Sequence, residues 1–185
     1  NDSLEGFLCP KTYDFSGRGN VTADMVIRAM LDQYKATASS LDFEAARAAV
    51  KARYNVELTN YDFLKLASIV EREGLNATQR AHVAAVFYNR LGGKLPQGRY
   101  LQSDATMMYV TGGAVTADDL KAQSPYNTYL NEGLPPTPIC SPSLESLGAT
   151  LKPADSNDLY FFITADSERF SETYDQHMQA ISQNG

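Results

Sequence analysis

With 185 residues, 43% of them hydrophobic and 21% charged, the chain has the composition of one soluble globular domain, or one domain with a small appendage. A net charge of −6 without any cluster of Lys and Arg argues against nucleic acid as a partner. No signal peptide is present, and no apolar run reaches the ~18–20 residues that a membrane span needs.

Residues 4–20 read as an irregular or extended segment, punctuated by Pro10, Gly17 and Gly19. Leu4-Glu5-Gly6-Phe7-Leu8 already looks structured directly after Asn1, so a trimmed chain is expected. Thr22 then caps a helix to about Lys35, with Met25, Val26, Ala29, Met30 and Tyr34 on one face. A second helix, Asp42 to Tyr54, is polar and alanine-rich, which predicts a surface position. A third, capped by Thr59 or Asn60, runs to Gly74 and carries Phe63, Leu66, Ala67 and Val70 as an apolar stripe. Asn76 and Gln79 give a capping-box-like start to Ala77–Leu91, a helix apolar nearly all round and hence buried. On its polar stripe stand His82 and Asn89, and for His82 a water-facing position is expected.

Beyond Gly92 and Gly93, Ser103 can cap a short helix through Tyr109, which places Gln102 and Asp104 at its N-terminus. Thr116–Gln123 reads as another short helix. From Ser124 to Ile139 the chain is rich in proline, tyrosine and amides, which excludes a regular helix or an interior strand and suits a binding loop. Ser143–Leu151 is predicted helical, Leu159–Thr164 a buried strand, and Ser171–Ser182 a closing helix. The expected class is α+β, predominantly helical with a small sheet, in a single domain over residues 1–185.

The informative stretch is the end of the third helix. At about 100° per residue, Glu71 falls on the apolar arc between Ala67 and Leu64, and Glu73 on its far shoulder near Leu66 and Ile69. A carboxylate there loses hydration and faces the negative end of the helix dipole. Both effects raise a carboxyl pKa, which is what a general acid needs near neutral pH. The plain alternative is that the helix ends early and both side chains reach water beside Gly74. Other chemistries lack their residues: there is no Walker loop and no Gly-x-Ser-x-Gly, and Thr22 stands where a dinucleotide fingerprint starting at Gly17 needs its third glycine. Two cysteines and two histidines without ligand spacing predict no metal site, and no cofactor is expected.

Four motifs in this order resemble the YceG-like endolytic lytic transglycosylases, the MltG family of bacterial cell-wall enzymes. They are Leu4-Glu5-Gly6-Phe7-Leu8-x-Pro10-x-Thr12-Tyr13; Leu66-Ala67-Ser68-Ile69-Val70-Glu71-Arg72-Glu73 followed by Val86-Phe87-Tyr88-Asn89-Arg90-Leu91; Leu101-Gln102-Ser103-Asp104-x-Thr106; and Ser124-Pro125-Tyr126-Asn127-Thr128-Tyr129 with Gly133-Leu134-Pro135-Pro136-x-Pro138-Ile139. They span nearly the whole chain, and their combination is specific. Departures are Cys9, Gly74, and Arg169 where a histidine often precedes the late Phe-Ser pair. The family's N-terminal membrane helix and LysM-like subdomain are absent, which fits a trimmed catalytic domain.

The resemblance implies cleavage of the β-1,4 bond between N-acetylmuramic acid and N-acetylglucosamine to leave 1,6-anhydro ends, which terminates glycan strands. It implies that the catalytic acid is the first glutamate after Ile69-Val70, namely Glu71, with Glu73 as a structural or pKa-tuning neighbour. Gln102, Asn89 and Asn127 are the expected hydrogen-bonding residues for the glycan, and Tyr126 and Tyr129 the sugar-facing rings. Asp104 either assists charge development or merely caps its helix. Implied partners are peptidoglycan glycan strands and, as candidates, peptidoglycan synthases, at the extracytoplasmic face of the membrane and anchored only through the missing N-terminal helix. In such a compartment Cys9 and Cys140 either pair or stay free thiols. The competing functions are a muramidase with Asp104 activating water and a silent glycan-binding module.

Overall fold

The computed structural model describes residues 3–184, so residues 1, 2 and 185 of the expected domain lie outside the described residues. Seven helices and a two-stranded sheet follow one another as α1 (Ala23–Ala38), α2 (Phe43–Tyr54), α3 (Asn60–Glu73), α4 (Ala77–Leu91), α5 (Asp104–Thr111), α6 (Leu144–Leu151), β1 (Tyr160–Ile163), β2 (Glu168–Ser171) and α7 (Tyr174–Asn184). The predominantly helical α+β class is as expected.

Packing centres on α3, α4 and α6. Phe63, Leu66, Ala67, Ile69 and Val70 of α3 meet Val83, Ala84, Phe87, Tyr88 and Leu91 of α4, and Leu147 and Ala149 of α6 close the cluster. Their register is fixed locally by caps. Thr59 starts α3 with a full capping box in which its hydroxyl accepts from Asp62 N–H while the Asp62 carboxylate accepts from Thr59 N–H. Asn76 accepts from Gln79 N–H at the start of α4, and Ser143 from Ser146 N–H at the start of α6.

Several expectations are corrected by tertiary packing. Helix α2 is not a surface helix throughout, because Ala46, Val50 and Tyr54 are buried in the common core. His82 does not face water alone: its ring stacks on Phe170 with centroids 3.7 Å apart, and Nε2 lies 2.8 Å from Asp158 Oδ2. The Thr116–Gln123 helix reduces to one 3₁₀ turn at Asp119–Lys121. A second strand, β2, pairs antiparallel with β1 in the register Tyr160 with Ser171 and Phe161 with Phe170. It takes Ser171 out of the closing helix, which starts at Tyr174 after Thr173 accepts from Gln176 N–H. Of β1, only Tyr160 is fully buried. Cys9 and Cys140 are both free thiols, and burial pushes the Cys140 thiol up to about 11.

One residue ties these layers together. Arg90, near the end of α4, is buried, donates Nε–H to the Leu159 carbonyl at 2.7 Å and Nη1–H to the Leu101 carbonyl, and lies over the Tyr160 ring at 5.5 Å. A buried cation with both forks on backbone carbonyls is an anchor of two otherwise separate segments.

Candidate active site

The two glutamates at the end of α3 face different surroundings. Glu71 meets the N-terminus of α6: its Oε2 accepts from Ser143 N–H at 2.9 Å, Ser143 Oγ–H at 2.6 Å and Ser146 Oγ–H at 2.6 Å, while Arg80 Nη2 stands 3.3 Å from Oε1. Burial pushes its pKa up, but the two serine hydroxyls, the Ser143 amide and the Arg80 charge together outweigh burial and hold the carboxyl below its usual value. The expectation of a raised pKa at Glu71 is therefore corrected. A carboxylate at a helix N-terminus with three donors is a stabilising cap.

Glu73 meets the opposite situation. It borders a cleft of about 290 Å³ whose floor also includes Gln102, Asp104 and Tyr129. Its Oε1 accepts one short bond, 2.5 Å, from Ser103 Oγ–H. Burial raises its pKa, and the neighbouring Asp104 charge adds to this; Ser103, Arg90 and the Ala105 amide oppose it without reversing the shift. Ser103 was expected to cap α5, but it makes no such bond, because its hydroxyl is spent on Glu73. Of the two carboxyls expected to be raised at the helix end, Glu73 is raised and Glu71 is not.

Beside Glu73 the Leu101–Asp104 segment is held rigidly. Gln102 N–H donates to the Thr128 carbonyl and Ser103 N–H to Thr128 Oγ1, each at 3.1 Å, and Thr106 Oγ1 donates to the Ser103 carbonyl at 2.8 Å. These bonds keep Gln102 at φ 51°, a left-handed conformation that costs a side-chain-bearing residue energy and marks functional sites. Tyr129 donates to Asp104 Oδ1 at 2.6 Å, and burial followed by that carboxylate raises its own pKa.

Four expected site residues do not line this cleft. Glu71 is the α6 cap. Asn89 is fully buried, donating to the Ser156 and Asp158 carbonyls and accepting from Lys94. Asn127 is fully buried too, donating to the Leu120 and Ala122 carbonyls and accepting from Tyr129 N–H, so it braces the proline-rich loop. Tyr126 is engaged with Thr137 at 2.7 Å and packs against Tyr109. Glu73, Gln102, Asp104 and Tyr129 are brought together. The opposite contribution comes from residues without a sequence signal: Arg90, Tyr160, Phe161, Tyr174 and His177 complete the lining. Arg90 alone had a clue, its place in the motif Val86-Phe87-Tyr88-Asn89-Arg90-Leu91.

The YceG-like family model matches residues 1–183. The chain belongs to the YceG-like family. This YceG-like chain is 35% identical over 181 residues to an endolytic murein transglycosylase of Bacillus subtilis, covering 96% of the chain and 47% of that relative. It is 30% identical to an endolytic murein transglycosylase of Streptococcus pneumoniae, covering 97% of the chain and 32% of the relative. A crystal structure of a YceG-like protein from Listeria monocytogenes superposes with a TM-score of 0.77 at 34% identity, over 96% of the chain and 55% of the other. The YceG-like chain thus spans about half or less of these curated relatives' length. Among the described residues, no helix is long and apolar enough to cross a membrane.

Proposed function

We propose that this YceG-like domain is an endolytic murein transglycosylase whose general acid is Glu73. The single observation that carries the reading is the half-buried, protonation-favouring carboxyl of Glu73 in a cleft shared with Asp104, Gln102 and Tyr129. The names of the relatives supply the substrate class, murein.

The chemistry follows from one carboxyl. Glu73 gives its proton to the glycosidic oxygen as the bond from muramic C1 breaks, leaving an oxocarbenium-like sugar and a free N-acetylglucosamine hydroxyl. The muramyl 6-hydroxyl then attacks C1 and returns its proton to Glu73, closing a 1,6-anhydro ring without water. Intramolecular attack exploits the high effective molarity of a positioned group. Asp104, held by Tyr129, faces the developing positive charge, and Gln102 is placed to hold an acetamido or hydroxyl group. Glycan-strand termination, an anchor outside this chain, an extracytoplasmic site and synthase partners belong to the same reading.

Asp104 in the same cleft favours one second reading, a muramidase in which it activates water. Mass analysis of digested peptidoglycan separates the two. Anhydromuramyl ends on mid-length fragments are expected, whereas reducing muramic ends, each heavier by one water, would assign Asp104 a base's role and refute the transglycosylase.

A further inference from the structure

The wall of the cleft formed by β1 and the first turn of α7 does nothing in the reaction just derived, yet its composition is unusual. Tyr174 is a large aromatic left 58% exposed at the rim. Its ring meets that of Tyr160 at 5.9 Å, and His177, one helical turn along, stacks on the same Tyr160 at 5.3 Å and 22°. Arg90 backs Tyr160 from the core side. Three rings therefore share a packed platform with one face open.

His177 adds a directional group. Its Nδ1 is buried and has no hydrogen-bond partner, while Nε2 belongs to a ring that lines the cleft. Burial and the Arg90 charge lower its pKa, so the ring is neutral at neutral pH. A neutral imidazole carries one proton, and an orphaned buried N–H is the costlier choice than an orphaned buried lone pair. The proton belongs on Nε2, which makes His177 a neutral donor in the lining of the cleft. The cation nearby, Arg90, is committed to the Leu101 and Leu159 carbonyls. A neutral donor beside exposed aromatic rings suits an uncharged N-acetylated sugar rather than a carboxylate.

We infer that Tyr174 and His177 form a saccharide subsite beside Glu73, taking one N-acetylhexosamine with its ring against Tyr174 and its acetamido carbonyl on His177 Nε2–H. This rests on the proposed glycan-cleaving function and deepens it.

The test uses the full chain with Glu73→Gln to prevent turnover and chitotetraose as the probe, read by calorimetry. Tyr174→Ala and His177→Leu should each weaken binding about tenfold with unchanged melting, the scale of one aromatic contact or one hydrogen bond. His177→Gln, whose amide nitrogen can replace Nε2, should restore most of the loss. Imidazole ¹⁵N shifts of the otherwise native protein should show the neutral Nε2–H tautomer. Binding unchanged in Tyr174→Ala and His177→Leu, no binding by the Glu73→Gln protein itself, or an Nδ1–H tautomer would overturn the subsite. Were binding to depend on these residues while the native enzyme failed to cleave murein, the catalytic reading would fall and the subsite would stand.

Discussion

Replacing each glutamate of the α3 terminus by glutamine separates cap from acid. In Glu71→Gln one oxygen remains for Ser143 and Ser146, but three charge-assisted bonds at 2.6–2.9 Å become neutral ones and Arg80 keeps only Glu145 as a counter-charge. Bonds to charged acceptors stabilise by roughly 1 kcal/mol more than neutral ones, and the side chain is 25% exposed, so screening trims the sum to about 2 kcal/mol. For a chain of this size that lowers Tm by about 4–8 °C. The sign with pH is fixed by the depressed pKa. The stability from Glu71 is fully present above its ordinary value of 4.5 and is lost as pH falls through the folded value, so the Tm gap between native and Glu71→Gln closes in acid. Glu73 has the opposite sign. Its raised pKa means the ionised form burdens the folded state once pH rises through that value, so Glu73→Gln should melt no lower, or higher, than native at neutral pH. Murein cleavage should nevertheless fall by at least ~100-fold in Glu73→Gln, because an amide cannot donate the proton. Calorimetric melting and turbidity clearing of sacculi measure both. An inactive Glu71→Gln with native Tm, beside an active Glu73→Gln, would refute the assignment.

The remaining expectations follow from single contacts. Gln102→Gly relieves the left-handed backbone by about 1 kcal/mol, raising Tm by roughly 2–4 °C, while glycan binding weakens because the amide has left the cleft. Tyr129→Phe removes the 2.6 Å bond to Asp104 and should slow cleavage about tenfold with little change in melting; an unchanged rate would show that Asp104 needs no orientation. Asn127→Ala strands the Leu120 and Ala122 carbonyls and should cost about 2–4 kcal/mol in denaturant unfolding. The alkaline limb of the pH–rate profile should lie above the ordinary carboxyl range, as Glu73 ionises.

Much of the frame was legible because α3 and α4 declare themselves by period and cap: Ala77–Leu91 has its predicted ends, and Thr59 its predicted cap. The small hairpin was half legible. Glu168 and Arg169 gave β2 no apolar alternation, and its pairing with β1 is a tertiary fact. The site divided along the same line. Helical period put Glu71 and Glu73 on one apolar arc, but what each arc edge meets depends on Ser143 and Ser146, some 72–75 residues away, and on Ser103, 30 away. The burial of Asn89 and Asn127 was not legible, because buried amides that satisfy carbonyls have the same residue type as amides that hold sugars.

Arg90 has a bearing on how such a domain can diversify. Its planar fork holds Leu101, next to Gln102, and Leu159, next to Tyr160, so the gap between two banks of the cleft is spanned by one guanidinium of fixed dimensions. The aliphatic interior behind it is then free to drift, exchanging one hydrophobic shape for another, without widening or narrowing the cleft. Lineages that share little core sequence can in this way inherit the same gauge.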